Sequence, residues 1–151
     1  MHARMAFPDV VMNDTATAIQ HLFKSMSRSG APQDVLELVH LRASQINGCS
    51  ACVNAGVESA QKAGVSDEKL HQLAAWYEAP FFTEAERAAL ELTEVATRLA
   101  DGGRVSDEAW DAASAHYSEE QLAGIIVMIA TTNFFNRLNA SVRTPAGTRW
   151  N

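Results

Sequence analysis

The sequence predicts an all-α fold, a single domain built as a bundle of about six to seven helices. Apolar residues recur every three or four positions along most of the chain, and the two-residue alternation of a β-strand is nowhere sustained. Serine, threonine, glycine and proline interrupt this pattern where helices would begin or end. With no linker or repeat in its 151 residues, the chain is expected to form one domain over residues 1–151.

The first half of the chain is predicted to form three helices, over residues 13–28, 34–44 and 49–63. Asn13 or Asp14 would cap the first helix, and a Ser-Gly-Ala-Pro sequence would end it. The second helix is expected to bury one apolar face, made of Val35, Leu38, Val39 and Leu41. Gly64 follows the third helix at the position where glycine is favoured, because it adopts the left-handed conformation that ends many helices.

The second half is predicted to form four more helices, over residues 66–77, 84–100, 106–116 and 121–142. Ser66 and Ser106 are the expected caps of the first and third of these. Thr83 and Ser118 each stand three residues before a Glu or Gln, which is the capping-box pattern, and open the second and fourth. Two glycines after Asp101 are expected to end the second.

The last predicted helix changes character along its length. Residues 122–130 are apolar nearly all round, which predicts burial on every side. The following turns carry polar side chains, namely Asn133, Asn136, Arg137, Asn139 and Arg143. Buried amides need partners, so we expect this half to lie at a helix–helix or subunit contact. An exposed polar end remains an open alternative for Asn139 and Arg143.

Composition excludes some classes of function. The formal net charge is −6 and the pI is about 5.3, without a clustered basic stripe, which argues against a nucleic-acid surface. No run approaches the roughly 18 apolar residues of a membrane span. No secretory leader opens the sequence, which predicts a cytoplasmic protein. Hydrophobic residues make up 47% of the chain, enough to leave apolar surface for an oligomer interface.

Cys49 and Cys52, the two cysteines of the chain, begin the third predicted helix. A spacing of three residues puts both sulfurs on one helix face, close enough for a disulfide. The free N–H groups and the positive dipole end of a helix start favour a thiolate over a thiol. This combination predicts thiol–disulfide exchange.

Two other interpretations of the cysteine pair stay open. In the first interpretation, the pair is half of a structural zinc site. Such a site needs two more Cys or His ligands at matching spacing. The histidines are scattered singly, at His2, His21, His40, His71 and His116, which speaks against zinc. Alternatively, the two cysteines are inert core residues.

Residues 37–52 (ELVHLRASQINGCSAC) resemble the signature of the alkylhydroperoxidase D-like branch of the carboxymuconolactone decarboxylase family. The resemblance continues through residues 73–83 and 136–145 and covers about residues 33–147. It implies an all-helical subunit that forms trimers or hexamers, with the cysteine pair near a subunit boundary. It also implies thiol-dependent reduction of alkyl hydroperoxides without a cofactor, recycled by a dithiol donor such as a lipoyl-bearing or thioredoxin-like protein.

The family's working motif is a glutamate, two cysteines and a histidine four residues after the second cysteine. Glu37, Cys49 and Cys52 match the first three positions. By this resemblance, Cys52 is the attacking thiolate and Cys49 the resolving thiol. Gly56 stands where the histidine is expected, and Ala51 stands where the family commonly has an aromatic residue or a histidine.

The missing imidazole predicts weakened catalysis, because general acid–base help is worth roughly 10²–10⁴-fold. His40 is the candidate replacement, since it follows Glu37 by three residues and shares its helix face. We expect His40 and Glu37 to relay a proton from Cys52 through a water. Alternatively, His40 only pairs with Glu37 or lies at the surface.

Three functional hypotheses follow. The first is a thiol peroxidase or disulfide oxidoreductase that reduces hydroperoxides with Cys52 and Cys49. The second is a diverged, non-catalytic redox sensor or oligomeric scaffold, which Gly56 favours. The third is a lactone decarboxylase or hydrolase, as in the other branch of the family, against which the paired thiols speak.

Overall fold

The computed structural model describes residues 2–8 and 12–148, where the chain is helical and contains no strand. The α-helices of this part are α1 (Asn13–Ser27), α2 (Gln33–Ile46), α3 (Ser50–Lys62), α4 (Asp67–Gln72), α5 (Glu84–Thr97), α6 (Leu99–Gly102), α7 (Asp107–Ser114) and α8 (Glu119–Val142). The predicted all-α fold is therefore confirmed.

Helix α2 lies at the centre of the bundle and packs against α3, α5 and α8. All four residues of its predicted apolar face are buried. Val35 and Val39 pack with Ile125 and Met128 of α8 in one cluster of the core. Leu38 and Leu41 belong to a second cluster, on the side of α2 that faces α3, α4 and α5. The core thus lies on both sides of one helix, which holds the polar residues of that helix in fixed positions.

Most of the predicted helix ends are confirmed. Thr83 and Ser118 each form a complete capping box with the residue three positions on. The hydroxyl groups of Ser66 and Ser106 accept hydrogen bonds from the first turns of α4 and α7. Gly64 has a φ of +85°, as predicted for its position after α3. The start of α1 differs, because the N-cap is Met12, without a side-chain hydrogen bond, and Asp14 lies inside the first turn.

The predicted helix over residues 66–77 is shorter than expected. After α4 the chain tightens into a 3₁₀ turn (Leu73–Ala75). Leu73 and Trp76 are both buried, whereas Tyr77 is 75% exposed. The geometry of a 3₁₀ turn places side chains three positions apart directly above each other, so both Leu73 and Trp76 reach the core. Trp76 then donates from Nε1 to Glu94 Oε1 at 3.1 Å.

The predicted helix over residues 84–100 is interrupted near its end. Arg98 leaves the helical conformation, with φ of −96° and ψ of 30°, and separates α5 from the single turn of α6. The Arg98 side chain turns back to Glu94, whose Oε2 accepts from Nε at 3.1 Å. Gly103, with a φ of +79°, ends α6.

Helix α8 is not buried on every side, so that prediction was wrong for the single chain. It packs against α1, α2, α3, α5 and α7, yet one side of it stays exposed. Its outer side carries an apolar stripe of exposed residues, here called the α8 stripe: Ala123, Ile126, Ala130 and Phe134. Within the described part of the chain, no helix is both long and apolar enough to span a bilayer.

Gly124 of α8 lets the loop after α1 approach closely. A Cβ atom at Gly124 would lie 2.1 Å from Ser29 Oγ and 2.6 Å from Ser29 Cβ. Ser29 has little freedom to retreat, because its Oγ donates to the Met26 carbonyl at 2.7 Å. The helix interior therefore keeps a glycine for packing.

We expect Gly124→Ala to destabilise the protein by about 1–3 kcal/mol, since overpacking outweighs the better helix propensity of alanine. The midpoint of thermal unfolding should fall by about 2–4 °C per kcal/mol. Gly102→Ala is the matched control, because nothing lies within 4 Å of a Cβ there. A second change, Ser29→Gly, should restore the midpoint. A Gly124→Ala protein that melts at or above the wild-type temperature would contradict this account.

Candidate functional site

The two cysteines are joined by a disulfide at the start of α3, with their Cα atoms 5.3 Å apart. Cys49 is the N-cap of the helix, and its Sγ accepts a hydrogen bond from the Cys52 N–H at 3.3 Å. A tight turn at Gly48, with a φ of +65°, carries the chain from α2 into α3. Each cysteine is only 5% exposed. The sequence therefore predicted correctly that the sulfurs share one helix face.

A cavity of about 290 Å³ opens beside Cys52 and is called here the Cys52 cavity. Its lining is mostly apolar and consists of Phe7, Ile19, Phe23, His40, Cys52, Ala55, Phe135 and Asn139. The rings of Phe7 and Phe23 stack near Phe135, with centroids 6.3 and 6.0 Å away. One of the two cysteines thus lines a space walled by aromatic rings.

A second cavity of about 230 Å³ opens on the other side of the disulfide and is called here the Cys49 cavity. It is lined by Gly48, Cys49, Ser50, Ala51, Asn139, Ala140, Arg143 and Thr144. Asn139 lines both cavities, whereas each cysteine lines only one. The disulfide therefore stands between an apolar space and a more polar one.

Glu37 and His40 lie together on α2, as their spacing predicted. His40 Nδ1 is 3.4 Å from Glu37 Oε2, and Gln33 Nε2 donates to Glu37 Oε1 at 2.9 Å. Burial by itself would raise the pKa of Glu37, but hydrogen bonds with His40, Ser59 and Gln33 together outweigh it and lower the pKa below 4.5. Because His40 also lines the Cys52 cavity, the structure brings it to the same space as Cys52.

Gly56, at the position of the family's histidine, is where α3 crosses α2. A Cβ atom there would lie 3.1 Å from Leu41 Cδ1 and 3.5 Å from Leu41 Cα. Leu41 is fully buried, so the space beside Gly56 is filled by the core. Any side chain at this position would require Leu41 to shift by a few tenths of an ångström. The glycine is explained by close helix packing.

Asn139 is the site residue that sequence reasoning missed. The sequence left it open whether this side chain is buried, and the structure leaves it only 4% exposed. Its Nδ2 donates to Cys52 Sγ at 3.3 Å, and its Oδ1 has no hydrogen-bond partner. The available signal was its spacing of three residues from Asn136, which puts both amides on one face of α8. Arg143, the other open case, is exposed and ends α8 with a φ of +58°.

The remaining groups lie elsewhere. His21, His71 and His116 are exposed. Among the described residues, no group of three or more His, Cys, Asp or Glu side chains is arranged to hold a metal ion. The chemistry of the described site is therefore that of two sulfurs, an imidazole–carboxylate pair and a buried amide.

Comparison with known proteins identifies relatives of this chain. The uncharacterized protein YdfG of Bacillus subtilis (strain 168) is 33% identical over 126 residues, which is 83% of this chain and 85% of that protein. The uncharacterized protein YnjA of Escherichia coli (strain K12) is 32% identical over 124 residues, covering 80% of this chain and 66% of that protein.

Two solved proteins have a fold similar to that of this chain. A protein of unknown function from Agrobacterium tumefaciens, described as a putative antioxidant defence protein AhpD, superposes with a TM-score of 0.89 at 30% identity, over 98% of this chain and 100% of that one. The debrominase Bmp8 superposes with a TM-score of 0.80 at 26% identity, over 90% of this chain and 73% of that one. A cysteine-to-alanine variant of Bmp8 has been solved with 2,3,4-tribromopyrrole.

The match to a family model covers the part of the chain that carries both cysteines. The model of the carboxymuconolactone decarboxylase family matches residues 14–95, which include α2, α3 and both cysteines. The structural likeness to the AhpD protein extends over nearly the whole chain. The chain therefore belongs to the carboxymuconolactone decarboxylase family, in its alkylhydroperoxidase D-like branch.

Proposed function

We propose that this protein is a thiol-dependent peroxidase that reduces organic hydroperoxides with the Cys49–Cys52 pair. The observation that carries the proposal is the disulfide at the start of α3, with Cys52 facing an apolar cavity. A helix start favours the thiolate form on reduction, and a neighbouring thiol is in place to resolve an oxidised sulfur.

The proposed reaction balances over three steps. The Cys52 thiolate attacks the terminal peroxide oxygen, the O–O bond breaks, and the alkoxide leaves as an alcohol after taking up a proton. Cys52 is then a sulfenic acid, and the Cys49 thiol attacks its sulfur, forming the disulfide and releasing water. A dithiol donor, either lipoyl-bearing or thioredoxin-like, finally reduces the disulfide and becomes oxidised itself.

His40 and Glu37 are the proposed proton relay. An ionised carboxylate can only accept, so its contact with Nδ1 would keep the proton of neutral His40 on Nδ1 and leave Nε2 to accept a proton from Cys52 through a water. The lowered pKa keeps Glu37 ionised at neutral pH, so it holds this tautomer of His40. The pair would take over the role of the histidine that the family has at the position of Gly56.

The aromatic lining of the Cys52 cavity supports an organic hydroperoxide as the substrate. Phe7, Phe23 and Phe135 offer a surface that binds an apolar group but gives hydrogen peroxide little to contact. The binding energy of that group would position the peroxide bond beside the sulfur.

Titration of the reduced protein with cumene hydroperoxide, while free thiols are counted, tests the proposed function. We expect two thiols to disappear per peroxide within seconds, and hydrogen peroxide to react more slowly at the same concentration. Disulfide formation that takes hours would overturn the peroxidase proposal in favour of a redox sensor.

Reductive debromination is a second candidate, favoured by the likeness to the debrominase Bmp8 and by the aromatic cavity. Two thiols would supply the electrons, a C–Br bond would become C–H, and bromide and the disulfide would be the products. Incubation with 2,3,4-tribromopyrrole and a dithiol tests this reaction through bromide release. No release above that from a protein lacking both cysteines would exclude it for this substrate.

We also propose that the protein acts as a homo-oligomer, a trimer or a hexamer, in the cytoplasm. The α8 stripe supports this, since an apolar face of this kind commonly marks a subunit contact. A second copy of the chain would cover the stripe. Because α8 carries both the stripe and Asn139, the subunits would meet on the helix that carries Asn139.

Ile126→Glu should therefore lower the mass of the particle in solution, because a carboxylate in an apolar contact is strongly disfavoured. Ile126 is 39% exposed in the single chain, so the change should leave the fold of the subunit intact. Light scattering after gel filtration gives the mass. Trp110→Glu is the control, an exposed aromatic residue outside the stripe. An unchanged mass for Ile126→Glu, or a monomeric wild type, would contradict the proposed contact.

A further inference from the structure

We propose that Asn139 is a catalytic residue: its amide N–H stabilises the Cys52 thiolate, and its amide oxygen accepts a hydrogen bond from the O–H of the hydroperoxide. The inference rests on the proposed peroxidase function and adds to it a group on a helix far from the cysteine motif in sequence. Asn139 lies 87 residues after Cys52, yet it contacts the reacting sulfur directly.

The contact is made by a buried side chain. Asn139 is only 4% exposed, and its Nδ2 lies 3.3 Å from Cys52 Sγ. Its Oδ1 is buried and has no hydrogen-bond partner. A buried acceptor without a partner is costly, so natural proteins seldom keep one without a use. Asn139 lines both cavities, so we infer that a substrate or a water entering beside it would be the partner of this oxygen.

Asn136, one turn earlier on α8, is a useful comparison. Its Oδ1 accepts from Asn47 Nδ2 at 2.8 Å, and its Nδ2 donates to Ser44 Oγ at 3.1 Å. Both ends of that amide are used inside the fold, which is the pattern of a structural residue. Asn139 uses only one end of its amide, on a sulfur, and its buried oxygen has no partner, which distinguishes it from a purely structural amide.

The direction of the hydrogen bond fits the chemistry. A thiolate is only an acceptor, so the donating end of the amide is the end that favours it. Hydrogen bonds to the charged form of a group stabilise that form. The same contact helps twice, because Cys52 is the attacking thiolate when peroxide is reduced and the leaving thiolate when a donor attacks Cys49.

Asn139 and His40 would together perform the two roles that a single histidine has elsewhere in the family. An amide does not titrate, so Asn139 stabilises charge on the sulfur while His40 receives the proton. The titratable or charged groups that line the two cavities are His40, on α2, and Arg143, at the end of α8; Glu37 stands behind His40. All three stay unchanged in the test below.

The test uses a Cys49→Ser background, in which Cys52 is the sole thiol and serine keeps the helix cap. The rate of alkylation by iodoacetamide is measured against pH. Asn139→Ala should move the midpoint of this profile upward by about one to two pH units, the size expected for losing a hydrogen bond to a charged acceptor. The midpoint of Asn139→Ser, which keeps a donor, should lie between those of the background and of Asn139→Ala. Asn136→Ala is the matched control and should leave the midpoint unchanged.

An Asn139→Ala midpoint equal to that of the background would overturn the thiolate role, as would an equal shift from Asn136→Ala. If Asn139→Ala does not fold, the comparison of Asn139→Ser with the background decides, and an unshifted midpoint overturns the role. Alkylation requires no peroxide, so this result is independent of the proposed function.

The substrate contact has its own measurement, made at a pH above all the midpoints, where Cys52 is fully ionised. There Asn139→Ala should slow the reaction with cumene hydroperoxide about tenfold while changing alkylation less than about twofold. Equal changes in both rates would overturn the role of the amide oxygen. A background protein that does not consume hydroperoxide at all would instead refute the proposed function, and with it this half of the inference.

Discussion

Cys52→Ser should abolish hydroperoxide reduction, with a loss of at least about 10³-fold in rate, whereas Cys49→Ser should still consume one equivalent of peroxide per subunit. The difference arises because Cys52 lines the apolar cavity and Cys49 does not. With Cys49 replaced, oxidation would stop at the sulfenic acid of Cys52, since no thiol is present to resolve it. Peroxide consumption and trapping of the sulfenic acid measure both outcomes.

Unfolding midpoints of the two variants serve as the control for misfolding, and the serine at position 49 still offers an oxygen to cap α3. If Cys49→Ser is inert towards peroxide and Cys52→Ser reacts with it, then Cys49 is the attacking thiol and Cys52 the resolving one. Lactone loss that survives replacement of both cysteines would support the decarboxylase hypothesis instead. The roles of attacking and resolving thiol are thus separable by a single pair of variants.

His40→Ala should reduce the rate of Cys52 oxidation at neutral pH by about 10²-fold, the lower end of what general acid–base help provides. The shape of the pH profile should change as well, because the group that accepts the proton is gone. Glu37 cannot be responsible for an acidic limb near neutral pH, since its hydrogen bonds lower its pKa below 4.5 and it stays ionised there.

His71→Ala is the control for this experiment, an exposed histidine on α4 away from the cavity. Glu37→Gln should have a smaller effect, of about tenfold, because it removes only the group that orients the imidazole. The pKa of Glu37 is lower in the folded protein than its ordinary 4.5, so its contribution to stability is present above that pH and is lost as pH falls through the folded value. An unchanged rate and profile in His40→Ala would exclude the relay.

The sequence was a good guide to local structure. Ser66, Thr83, Ser106 and Ser118 all cap helices as predicted, because a cap depends on hydrogen bonds within three residues of the chain. The sequence also placed Cys49 with Cys52, and Glu37 with His40, correctly on shared helix faces. These pairs lie within one helical turn, so the period of the α-helix is sufficient to predict them.

Its errors have a common origin in tertiary packing. The helix that was expected to reach residue 77 ends early because Leu73 and Trp76 both enter the core, and Trp76 meets Glu94 from another helix. Burial of residues 122–130 on every side was also predicted wrongly for the single chain, since the apolar content of a helix does not reveal on how many sides it has neighbours.

By itself, the sequence determined the all-α class, most of the helix caps, the paired thiols and the family to which they point, because each follows from residues close together in the chain. Only the tertiary structure decided that Leu41 fills the space beside Gly56 and that Asn139 meets Cys52. Both contacts join residues on different helices, and their geometry depends on how those helices cross. The period of a single helix holds no information about that crossing.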